Sequence, residues 1–329
     1  MKTAQRVLLV FGTLTLLLLL WRIDVGAVRF ALLQVGWGMA LVVGQETVAH
    51  LFNALGWRFA FSPDHAASFP LTELVRVRVA GDAINYLTPS ATIAGEVART
   101  AMLNDTQGTA VRAASVVLAK STQTLGQVLF AASGLVLLGA WRVVPRPGPE
   151  LLLYGIAGAI MIAAFVVYRL KPPHPSGSAG AAGGTLHLLQ AKLRRLFHDH
   201  PGRVALSTLM FVLGYAWGTF EAYWICRFLL VPVPIATALT IEVLSVTVDG
   251  IFFFVPAKIA TQEGGKMAIF SALDLSPSLG FAFGVVRHIR ELTWAGFGVL
   301  LCWAHHRTQY ARVHDMSAEA EATGLTRIP

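Results

Sequence analysis

Charge is scarce in this chain. Only 13% of its 329 residues are charged, against 55% hydrophobic, and the mean hydropathy is +0.61. A soluble domain carries about 25% charged residues, so this composition leaves a polytopic membrane protein as the fitting class. Cysteine is nearly missing: Cys226 and Cys302 both fall in apolar runs, which offers neither a disulfide framework nor metal-ligand spacing. Catalytic signatures are lacking too, with no HExxH, GxSxG or P-loop. The fragment Pro175-Ser176-Gly177 has Ser178 where lipid phosphatase chemistry needs histidine. Acidic residues are the rarer charge, 18 against 26 basic, giving a net charge of +8. The basic residues lie between apolar runs, which points to membrane sidedness and not to nucleic acid. No cofactor and no metal are expected.

What is present is a polar stretch that recurs. Gly81 to Leu103 carries Asp82, Asn85, Pro89, Glu96 and Arg99 among apolar neighbours. At an offset of 167 residues, Asp82, Pro89 and Glu96 fall on Asp249, Pro256 and Glu263, and Arg99 falls on Lys266. The shared pattern is D-x6-P-x6-E-x2-[R/K], an acid, a breaker, an acid and a base in one order. Such internal repeats are how many transporters are built. Each copy is two short apolar segments around a proline, so each reads as a re-entrant hairpin of two half-helices. Irregular backbone at membrane depth must be buried in protein or line a polar cavity, which makes each tip a candidate site.

Between the repeats the chain reads as spans. Residues 6–22 form a short retained signal anchor, and Phe30 to Phe52 a second span with Glu46 and His50 on one inward face. Trp57 to Pro70 is an interfacial elbow before the first hairpin, 71–103. Ala113 to Ala140 carries Lys120, Gln123, Thr124 and Gln127 as an inward polar stripe, and Leu151 to Tyr168 is a further span. A linker and a basic amphipathic helix occupy 171–203, where His198-Asp199-His200 reads as a solvated loop. The second membrane half, 204–304, holds the span Val204 to Leu230 with Glu221 and Arg227, then the hairpin 236–270 with Glu242, Ser245 and Asp249 on one face. Its last span, Leu279 to Trp303, carries Arg287, His288, Arg290 and Glu291, with Arg287 and Glu291 spaced to pair. A loose polar tail, 305–329, follows. The fold class expected is all-α and polytopic, with about six full spans and two re-entrant hairpins. Three spans between the hairpins make the repeat inverted, and the basic linker and tail place both termini in the cytoplasm.

Asn85-Tyr86-Leu87-Thr88-Pro89 with Gly95-Glu96 and Arg99, then Pro256 with Gln262-Glu263-Gly264-Gly265, and a late helix bearing Arg287, resemble the flippase-like membrane domain of the lysylphosphatidylglycerol synthase family. The resemblance covers about Arg6 to His305, and hopanoid-associated stand-alone members look similar around the QEGG motif. It implies a bacterial inner-membrane protein that moves lipids between leaflets. Thr88 stands where the family usually has leucine, and Lys258 to Ala260 where it has glycines. No room is left for the soluble aminoacyl-transferring domain, so lysyl transfer is not expected.

A lipid headgroup crossing the core needs a polar furrow. Arg99, Lys266, Arg287 and Arg290 are the expected phosphate attractors, with Glu96 and Glu263 orienting Arg99 and Lys266 as i, i+3 pairs. Asp82, Asn85, Lys120 and Asp249 line the same region, and the tips at Pro89 and Pro256 supply backbone donors. The partners expected are membrane lipids with an anionic headgroup. A small-solute or ion transporter on the same repeat, and an accessory subunit docking lipid-biosynthesis enzymes, stay open as alternatives. So does a purely structural role for the paired charges.

Overall fold

The computed structural model describes residues 25–88, 93–104, 108–141, 198–251 and 261–322, and all regular structure among them is helical. The expected signal anchor, the span 151–168, the linker with its amphipathic helix to 197, and both tip prolines, Pro89 and Pro256, lie outside the described residues.

Helix α1 (Val25–Val35) and α2 (Gly38–Phe59) divide the expected second span. The break is Gly36, at φ +51°, a left-handed conformation that costs glycine little. Prolines then set the starts. They open α3 (Pro63–Ala66), α7 (Pro201–Phe228) and α10 (Pro277–Ala322), and Pro70 and Pro234 directly precede α4 (Leu71–Leu87) and α8 (Ile235–Ile251). Proline suits the first turn because its missing N–H would have no partner there. Between these lie α5 (Ile93–Met102), α6 (Thr109–Trp141) and α9 (Thr261–Ala272). The last helix does not end near Trp303; it runs through the polar tail to Ala322.

The order α2, α4, α5, α6 is repeated by α7, α8, α9, α10, and the packing repeats with it. The contact of α2 with α7 is its own counterpart; α4 with α10 matches α8 with α6, and α5 with α6 matches α9 with α10. Likewise α2 with α4 matches α7 with α8, and α6 with α7 matches α10 with α2. Exchanging the halves therefore returns the same set of neighbours. Both long helices, α6 and α10, touch both hairpins.

Polar links fasten the α2–α6–α7 core. Ser207 Oγ donates to the Gly56 carbonyl at 2.7 Å and meets Thr122 Oγ1 at 2.7 Å, while Trp57 Nε1 donates to Ser115 Oγ at 3.2 Å. Arg203, in the first turn of α7, donates to the carbonyls of Arg58 and Phe61 and so satisfies the end of α2.

The outside is apolar in stripes. Leu206, Leu209, Leu213, Phe220 and Trp224 are exposed along one face of α7, and Phe297, Leu300 and Trp303 along α10. A water-soluble monomer rarely exposes continuous faces of this kind, whereas lipid tails cover them. Helix α7, at 28 residues, is long and apolar enough to cross a membrane; at 1.5 Å per residue it reaches about 42 Å against a hydrocarbon core of about 30 Å.

Candidate functional site

The first hairpin closes on itself through glycine. A Cβ on Gly95 would collide with the Gly81 carbonyl and the Asn85 side chain, and one on Gly81 would meet Arg99. With neither present, α4 and α5 lie close enough for Gly95 N–H to donate to Asn85 Oδ1 at 2.7 Å. Close approach places Asp82 opposite Arg99, and the two form a short charge-assisted bond through Oδ1 and Nη2. Arg99 Nη1 also reaches both oxygens of Glu96 at 2.7 Å, so the expected i, i+3 pair is present. Arg78 Nε is 3.4 Å and His50 Nδ1 3.9 Å from Asp82 Oδ2, and Lys120 Nζ from α6 is 3.7 Å from Glu96. Within this group Arg99 is 3% exposed, while the Lys120 and Asp82 side chains keep 36% and 37% of their surfaces. These two are its open members.

The second hairpin repeats the lock with weaker geometry. Lys266, on α9, is fully buried with Nζ 3.5 Å from Asp249 Oδ1 on α8, the same 17-residue separation as Asp82 and Arg99. Glu263 does not orient Lys266 as the spacing suggested. It turns to α10 and meets His288 Nδ1 at 2.7 Å. The reason lies in the neighbouring helix: Gly280 and Gly284 let α10 come against the α9 backbone at Lys266 and Gln262, so His288 comes within reach of Glu263.

A third group joins α10 to α2, α7 and α8. Arg287, which the 167-residue offset makes the counterpart of Lys120, forms a short bond to Glu242 of α8 and is 3.0 Å from Glu221 of α7. Arg290 Nη1 donates to Glu221 at 2.6 Å and to Glu46 of α2 at 2.7 Å, and its Nη2 to Glu291 at 3.3 Å. Glu291 thus pairs with its sequence neighbour Arg290, while Arg287 turns to other helices instead of completing the i, i+4 pair. The polar stripe on α6 looks inward as expected, with Lys120 on Glu96 and Gln127 Nε2 donating to the Val246 carbonyl of α8 at 3.1 Å.

Of the twelve residues singled out from sequence, Asp82, Asn85, Glu96, Arg99 and Lys120 meet at the first hairpin and Asp249 and Lys266 at the second, while Glu263 turns to His288. Arg287 and Arg290 join the third group. Sequence reasoning did not select Arg78, although it sits one turn before Asp82, and it met Gly81 and Gly95 only as the start of the polar stretch and as part of the family motif, not as the contact between α4 and α5. Glu46, Glu221 and Glu242 stood out only as polar residues in apolar helices; their convergence on two arginines is a tertiary fact.

No curated protein and no solved structure matches the chain. The family model described as the lysylphosphatidylglycerol synthase TM region matches residues 6–298. With nine-tenths of the sequence inside that match, apolar stripes on its outer helices and ion pairs at its two hairpins, the chain is a membrane protein and belongs to the lysylphosphatidylglycerol synthase TM region family.

Proposed function

We propose that this protein moves lipids between the leaflets of a bacterial inner membrane, the headgroup passing beside the hairpins while the acyl chains stay in the bilayer. The observation that supports it most is the duplicated lock, Asp82 with Arg99 and Asp249 with Lys266, in halves whose helix contacts interchange. In this reading the halves are an inverted repeat, both tips lie near mid-membrane and both termini are cytoplasmic. The first hairpin carries Arg78, Arg99 and Lys120 against Asp82 and Glu96, one positive charge in excess. An anionic headgroup would approach through the open Lys120. Arg287 and Arg290 already hold carboxylates, so they brace helices here and leave the phosphate to Lys120 and its neighbours.

The test uses liposomes of phosphatidylethanolamine and phosphatidylglycerol containing the purified protein and fluorescent phosphatidylglycerol or phosphatidylcholine, with dithionite reporting which leaflet holds the label. Wild type should accelerate exchange of the anionic lipid, and Glu96→Ala and Glu263→Ala should slow it while eluting as folded protein. No acceleration with either lipid would move the assignment to a solute carrier or an accessory subunit. Failure of the Glu96 variant to fold would make the charges structural locks.

A further inference from the structure

The group around Arg287 and Arg290 holds more acid than base among the described residues. Glu46, Glu221, Glu242 and Glu291 surround Arg287 and Arg290, four carboxyls about two guanidiniums supplied by α2, α7, α8 and α10. Glu221 is the hub, since its Oε2 lies 2.6 Å from Arg290 Nη1 and 3.0 Å from Arg287 Nη2. Its other oxygen, Oε1, is buried with no hydrogen-bond partner among the described residues, and the residue is 2% exposed. Arg290 Nη1 also holds Glu46 Oε2 at 2.7 Å, so two carboxylate oxygens converge on one nitrogen.

Among the described residues, the groups that face this cluster from other helices are a phenol, a thiol and an imidazole: Cys226 on α7 faces Arg287. Tyr86 on α4 faces Glu291 and also Glu263 of α9, and His50 on α2 faces Arg290 but packs on Trp294 with centroids 4.4 Å apart. Surplus carboxylates buried in this way are strongly disfavoured while ionised. A bound proton removes one such charge at the place where an oxygen already lacks a donor. Glu46 keeps 20% of its side chain exposed, the most of the carboxyls that touch Arg290.

We propose that this cluster holds one exchangeable proton, shared by Glu46 and Glu221 across Arg290, and that its uptake and release drives lipid movement. The coupling rests on the lipid-translocation reading above. The proton arrives from water at Glu46 and passes to Glu221; the protonated carboxyl pulls less on both arginines of α10. That helix packs against α4 of one hairpin and α9 of the other, so a small shift of α10 reaches both locks.

Infrared spectra of the full chain in nanodiscs would test the site without any transport. Wild type at neutral pH should show the C=O stretch of a protonated carboxylic acid that titrates with pH, and it should be lost in Glu221→Gln and shifted in Glu46→Gln. Both amides preserve shape, and either one alone reads the site if the other fails to fold. In the liposomes described above, a proton gradient should change the wild-type rate several-fold, a protonophore should abolish that change, and the Gln variants should be insensitive to it. No acid band in wild type, or an unaltered band in both variants, overturns the proposal. Lipid movement that ignores the gradient overturns the coupling while the translocation reading stands. An acid band that vanishes in Glu221→Gln without movement of any lipid upholds the proton site and overturns only the translocation reading.

Discussion

Replacing Gly95 by alanine probes the contact on which the first hairpin depends. Alanine should gain about 1 kcal/mol in helix propensity. Its Cβ, however, would occupy the space of the Gly81 carbonyl and the Asn85 amide. The carbonyl belongs to the α4 backbone and cannot rotate away, so the two half-helices must separate. Overpacking of this kind costs about 1 to 3 kcal/mol, and losing the Gly95 to Asn85 hydrogen bond about 1 more. The net expectation is a loss of about 1 to 3 kcal/mol. Gly44→Ala is the control, because a Cβ there meets nothing within 4 Å and only the propensity gain remains. Thermal unfolding in detergent, followed by intrinsic tryptophan fluorescence, should therefore rank Gly95→Ala below wild type and Gly44→Ala at or above it. Equal stability of the two variants would refute the close approach of α4 and α5, and with it the placement of Asp82 opposite Arg99.

Arg99→Ala removes the guanidinium that Asp82 and Glu96 share, leaving Arg78 at 3.4 Å from Asp82 and Lys120 at 3.7 Å from Glu96. Breaking a buried pair costs about 3 to 5 kcal/mol, and the partial exposure of Asp82 puts this one at about 3. Adding Asp82→Asn should recover about 1 kcal/mol or more, a coupling that a double-mutant cycle of unfolding free energies reads directly. Lys120→Ala should move stability by less than about 1 kcal/mol, since its ammonium is half-open and 3.7 Å from Glu96, yet slow anionic lipid exchange clearly in the dithionite assay. A variant that transports normally would remove Lys120 from the headgroup path.

The membrane class, the helical fold and the short helices α4, α5, α8 and α9 were legible in the sequence because each depends on local features. Apolar run length sets a span, proline sets a start, and a pattern repeated at 167 residues marks equivalent elements. The Glu96–Arg99 pair was legible for the same reason, being one helical turn long. Partners on different helices were not. Helical spacing alone offers Arg287 to Glu291 and Lys266 to Glu263, but a long side chain also reaches neighbouring helices, and a buried cation goes where the carboxylates are. Arg287 found Glu221 and Glu242, Lys266 faced Asp249, and Glu263 turned to His288. Helix approach decided those choices, through glycines at 81, 95, 280 and 284 whose effect depends on what stands opposite them. The sequence by itself determined which residues are charged among apolar runs and which elements carry them. Only the tertiary structure decided that four carboxyls share two arginines, because that ratio arises where side chains of α2, α7, α8 and α10 converge.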